Sequence, residues 1–222
     1  MGVSILILMI FLLVQIIHLR SERMAVTSRG ISADKTADIF SVAGVDYIAY
    51  ENNKKVFRLR ADHFEVAKRR FGMFYLNPLT EASGFNVDLE VYDDSTQKGT
   101  RNPFAFLTGE TITKAIPVPD IGSLGIITRI KIEGLKMSLY RDGQLISTVT
   151  SQQAMIDPKV KTAILTGNFS VRAMGGKSLI SQEGTWDQTT GIFSVEGPYI
   201  LMNPQKVRQG NGLRFDINLS GI

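Results

Sequence analysis

His63 and Glu65 stand two residues apart. On a strand they point to the same side and could offer a metal ion two ligands. A zinc site uses three protein ligands or four. The only other histidine, His18, lies in an uncharged apolar run, and the chain has no Cys. Thiolate ligands, a cysteine nucleophile and a disulfide scaffold are therefore excluded. Two histidines in 222 residues leave a Ser-His-Asp triad little to work with. The acidic residues are scattered, and none forms a glycosidase-like pair. Gly175-Gly176 and the glycines at 210 and 212 read as turns that open no helix, so they do not cradle a phosphate. Trp186 could stack on a sugar or sit in a core. No catalytic residue, metal or cofactor is expected, and no nucleic-acid partner.

Charge offers more. Between positions 51 and 75 stand seven basic residues, Lys54, Lys55, Arg58, Arg60, Lys68, Arg69 and Arg70, against Glu51, Asp62 and Glu65. That excess equals the net +4 of the chain. Arg58 and Arg60 alternate with Phe57 and Leu59, so they belong to the wet face of a strand. The patch could draw phosphorylated headgroups or an acidic partner. It could equally be a solvated face that discourages edge aggregation.

Something must position these groups. Residues 1–19 carry no charged side chain and read as one helical membrane span, about 28 Å long. A cleaved signal peptide would begin with a basic segment and end at a small-x-small site. Here the start is neutral, and Arg20 follows the apolar run directly. An uncleaved single-pass anchor is expected. Arg20, Arg23 and Arg29 all follow it, so the positive-inside rule would place the large domain in the cytoplasm. Residues 20–40 read as a polar stalk.

From position 41 to 222 the period is two, as in Phe57-Arg58-Leu59-Arg60-Ala61, Phe169-Ser170-Val171-Arg172-Ala173 and Leu213-Arg214-Phe215-Asp216-Ile217-Asn218-Leu219. Such alternation marks strands with one dry face. Turn signals separate them, among them Asn52-Asn53, Asp142-Gly143, Gly175-Gly176 and Thr190-Gly191. Parity switches at Gly134, which predicts a β-bulge there. Ser151 to Asp157 resembles Ser181 to Asp187 thirty residues on, and Gly167 and Gly197 hold the same register. A fixed period suggests stacked units of strand, Asp turn, strand, Gly kink and strand. Residues 91–124, with Pro117 and Pro119 near their end, read as a long excursion within the domain.

The run from Tyr50 to Glu65, with its Phe57-Arg58-Leu59-Arg60-Ala61 strand after a single anchor, resembles the opening hairpin of the LptC family. Those proteins are membrane-anchored periplasmic bridges of lipopolysaccharide export. The repeat from Ser151 to Leu201 resembles the OstA-like units that LptC shares with its soluble partner LptA. Gly210-Asn211-Gly212-Leu213-Arg214-Phe215 is similar to the terminal strand of that group. The resemblance covers about residues 1–90 and 135–219. It implies an all-β fold: a twisted, open antiparallel β-jelly roll (OstA-like) behind an N-terminal transmembrane helix. It also implies a periplasmic domain, against the charge count.

The partners it implies are lipopolysaccharide, an inner-membrane Lpt ABC transporter and a soluble LptA-like protein. Phe57, Leu59, Leu165, Phe169, Val171, Phe193, Val195, Leu201, Leu213 and Phe215 share the inward parity of their strands. By the resemblance they line a cleft for acyl chains. By the residues alone they read first as the core of a β-sandwich, since apolar strand faces ordinarily pack together. The C-terminal edge strand, with Leu213, Phe215, Ile217 and Leu219, is expected to recruit a partner strand.

Overall fold

The computed structural model describes residues 33–36, 39–51, 53–71, 74–93, 126–187 and 189–219. Ten strands make up its regular structure: β1 (Ala33–Thr36), β2 (Ile39–Glu51), β3 (Lys54–Phe71), β4 (Phe74–Asp93), β5 (Ile126–Arg141), β6 (Gln144–Asp157), β7 (Thr162–Ala173), β8 (Ser178–Asp187), β9 (Ile192–Asn203) and β10 (Lys206–Asp216). They form one sheet in chain order. The anchor expected over 1–19 lies outside the described residues. Among the described residues no helix is long and apolar enough to cross a membrane. The sheet begins at Ala33, inside the stretch read as stalk.

The all-β expectation holds, but the antiparallel one needs a correction. β4 and β5 pair in parallel, from Leu79↔Ile126 to Asp93↔Arg141. Parallel neighbours need a connection that carries the chain back to the starting end, a dozen residues or more. The chain between Asp93 and Ile126 supplies it; residues 94–125 lie outside the described residues. The excursion therefore begins after Asp93, and Val91 is a fully buried strand residue.

Alternation explains each strand but not the sheet. Along β2 the buried residues are Phe40 and Val42, then Val45, Tyr47 and Ala49. Along β3 they run to Ala61 and resume at Phe64; along β4 they pass from Ala82 to Val87 through Gly84; along β5, from Ile132 to Leu135. Every long strand skips a beat, and the skips line up. They trace a crease through Gly44, Asp62, Asn86, Gly134, Gln152, Gly167-Asn168, Gln182-Glu183, Glu196-Gly197 and Gly212. A strand crossing it places two or three successive residues on the convex side. The inward face therefore stays inward after the bend. Gly44, Asn86, Gly134, Gly167, Asn168 and Gly212 cross with positive φ, which few residues other than Gly and Asn adopt.

Gly134 is not the bulge predicted for it. Glu133↔Phe85 and Leu135↔Val87 keep register on one side, as do Glu133↔Gln153 and Leu135↔Ser151 on the other. It is a shared kink with Asn86 opposite. The extra residues sit instead on β7 and β9, where register slips against both neighbours at Gly167-Asn168 and Glu196-Gly197. These are the thirty-residue repeat glycines. The repeat aspartates also behave alike. Asp157 Oδ1 accepts from the amides of Lys159 and Val160, and Asp187 Oδ1 from those of Thr189 and Thr190. Those amide bonds hold the Asp187 carboxyl below the usual carboxylate range.

Candidate functional site

The crease divides the sheet into two leaves that share one apolar face. The turns β2–β3 and β7–β8 end the first leaf; the turns β6–β7 and β8–β9 end the second. The apolar side chains on this face are buried along β2 to β9, most of them to a few per cent or less. A single layer of strands cannot hide one face so fully. The leaves cover each other, and their contact is through side chains.

Nine of the ten predicted lining residues, Phe57, Leu59, Leu165, Phe169, Val171, Phe193, Val195, Leu201 and Phe215, are buried together in this interior. Leu213 packs against it, half-buried. Aromatic rings join the leaves near the crease: Phe169 of the first lies 5.8 Å from Phe193 of the second. Trp186 belongs to the core reading, 2% exposed and 4.3 Å from Phe193. Phe169 also lies over Gly184, where a Cβ would stand 2.5 Å from its ring. Thr80, Ser147 and Ser151 place small hydroxyls on the same face.

The C-terminal edge differs from expectation. β10 ends at Asp216, and Ile217 and Leu219 are not strand residues. The amides of Asn218 and Leu219 bond back to the Asp216 side chain and carbonyl, a third use of the aspartate turn. Here the chain turns into the interior, burying Ile217 and Leu219. Lys177, from the far end of the first leaf, donates to the Leu219 carbonyl at 3.3 Å. The edge strand instead extends N-terminally, through 206–211, a stretch that sequence alternation missed. Among the described residues the backbone of β10 pairs only with β9, and that of β1 only with β2, so within them both edges of the sheet are open.

Of the basic patch, Lys55, Arg58 and Arg60 lie on the outer face of the sheet, and carboxylates hold all three there. Arg58 grips Asp46 with two hydrogen bonds of 2.8 and 2.7 Å. Arg60 reaches Asp88 and Glu90, and Lys55 reaches Glu90 and the Tyr92 hydroxyl. The Arg58 hydrogen bond holds the Asp46 carboxyl below its ordinary value. Burial opposes ionisation of Glu90, yet its bonds from Tyr92 and Lys55 win and lower its pKa. Burial likewise opposes the Lys55 charge, and the same bonds outweigh it and raise its pKa. Lys54 and Lys68 lie on the same strand, and of Arg69 and Arg70 only the backbone is described. The partner carboxylates come from β2 and β4, distant in sequence, so a count along one segment could not find them.

His63 is half-buried, 3.4 Å from the Ser41 hydroxyl and beside Phe85. Among the described residues no group of three His, Asp or Glu could hold a metal ion. A surface pocket of about 670 Å³ lies where β8, β9 and β10 meet the crease, lined by Ile180, Gln182, Pro198, Ile200, Gln209 and Asn211. Against known proteins the chain matches no family model and no curated protein.

Proposed function

We propose that this chain is a non-catalytic lipid-transfer bridge of the LptC type, with a folded, jelly-roll-like sheet as its conduit. The observation that carries the reading is the interior: one sheet creased on itself, its inner face almost wholly apolar from β2 to β9, with both edges unpaired among the described residues. The leaves touch through side chains, so parting them breaks no ladder between them. Acyl chains entering there replace the lost apolar contacts, each CH₂ contributing about 0.8 kcal/mol. Contacts of that kind are unspecific and reversible, which suits a conduit. On this reading residues 1–19 anchor the chain in the inner membrane and the sheet lies in the periplasm. It receives lipopolysaccharide from the Lpt ABC transporter beside the β1 edge and passes it to an LptA-like protein strand-paired on β10.

A second reading is an envelope scaffold with a permanently filled core. The near-complete burial of the lining residues favours it. Photo-cross-linking in cells separates the two. Phe169 is a poor site because its ring fills the space over Gly184. Val195 and Leu201 serve better, with outward Ser194 as the control. Adducts with lipopolysaccharide at Val195 and Leu201 but not at Ser194 are expected. Their absence from every inward position would favour the scaffold.

A further inference from the structure

On strands β2 to β9 the inward residues of the first leaf are apolar or small, apart from the ion-paired Asp93 and Arg141 and terminal residues such as Asn203. β10 reverses the pattern. Cross-strand partners share a face of the sheet. Arg208 pairs with buried Leu201, Gly210 with buried Tyr199, and Lys206 with Asn203, so Lys206, Arg208 and Gly210 stand on the inward face. The outward positions are Val207, Gln209 and Asn211, and Val207 is 61% exposed. Here the cations face in and the valine faces out.

Neither Lys206 nor Arg208 has an acidic partner within ion-pair distance among the described residues, and both are exposed. At Gly210 a Cβ would lie 2.7 Å from the Tyr199 hydroxyl, so that phenol reaches across to the edge strand on the same face. Two cations and a phenol thus stand in a row, about 7 Å apart along the strand. Behind them lies the apolar interior, with Leu201 and Leu179 paired across β8 and β9.

We infer that the inward face of β10 is the headgroup site of the conduit. Lys206, Arg208 and the Tyr199 hydroxyl bind the phosphate of an anionic amphiphile whose chains lie between the leaves. The inference rests on the lipid-transfer reading and deepens it. Arg208 supplies a planar fork of donors for phosphate oxygens, and Lys206 a second charge. The paired cations of β3 have no such freedom, since carboxylates already hold them.

Isothermal titration of the full chain, held in a non-ionic amphipol, tests this with two probes, dodecyl phosphate and dodecyl maltoside. The full chain is expected to bind the phosphate about tenfold more tightly, a preference that shrinks as salt is raised. Lys206→Glu with Arg208→Glu should abolish the preference and leave maltoside binding unchanged. The neutral pair Lys206→Gln with Arg208→Gln should abolish it too, and unchanged circular dichroism shows that both variants fold. A phosphate preference surviving in both variants, or none in the unaltered chain, overturns the headgroup site alone. No binding of either probe overturns the lipid-transfer reading, and this site with it.

Discussion

Glu90 is the hub of the outer face, meeting Lys55, Arg60 and Tyr92 while nearly buried. Its pKa is lowered in the fold, so its contribution is present above the unfolded value of about 4.5 and is lost as pH falls through the folded value. Lys55 is raised, so its contribution holds below 10.5 and is lost only as pH rises past that. Glu90→Gln should therefore cost about 1–2 kcal/mol at neutral pH and flatten the acid limb of stability, read by urea melts between pH 7 and 3. An unchanged acid limb would show that the network contributes nothing. Glycines sort by what surrounds them. Gly184→Ala drives a methyl into the Phe169 ring and should cost about 1–3 kcal/mol. Gly197→Ala meets no atom within 4 Å and should stay within about 0.5 kcal/mol. Equal urea midpoints for the two would mean that the ring yields freely.

The crease is a property of elements, and it sets the limit of what the sequence could reveal. Period-two runs such as Phe169 to Ala173 give strand identity and face directly, because one face is dry and the other wet. The Asp turns and repeat glycines were legible for a similar reason, since their chemistry is local. The parity switch was visible at Gly134 alone, where no turn signal interfered. At Gly44, Asn86 and Gln152 nothing in the local residue types marks it, because the cause lies on neighbouring strands. The parallel β4–β5 pair was hidden likewise: pairing spans the whole excursion, and nothing local marks its direction. Gly134→Ala tests the crease. Its φ of +72° and the Asn86 Oδ1 at 2.8 Å predict a loss of about 1–3 kcal/mol. Gly44→Ala, with φ +68° and open space, should lose only the backbone strain, about 1 kcal/mol. A Gly134 variant no worse than the Gly44 variant would deny the Asn86 contact any role.

At the scale of the whole molecule, two leaves close over one interior and the C-terminal turn tucks into it. Truncation after Asp216 removes the buried Ile217 and Leu219 and should cost about 2–4 kcal/mol. Deleting the tail thus weakens the core as well as the edge, so strand-pairing partners are better tested by changes on β10 itself. A melt unchanged by that truncation would mean that the tail does not seal the interior. Its polar seal, Lys177 to the Leu219 carbonyl, spans the far ends of the leaves. The candidate lining residues were legible by parity, whereas the inward cations of β10 were not, because nothing in Lys206-Val207-Arg208 says which neighbour sets its face. Transfer of lipid requires the leaves to part. The chain has no Cys, so two introduced cysteines carry spin labels without background. Val160 and Met174 are exposed turn residues at the two ends of β7, one on each leaf. Electron–electron resonance distances in Val160→Cys with Met174→Cys, taken with and without saturating lipopolysaccharide, report the opening directly. The predicted result is a new, longer distance with lipid; an identical distribution in both conditions would contradict the conduit.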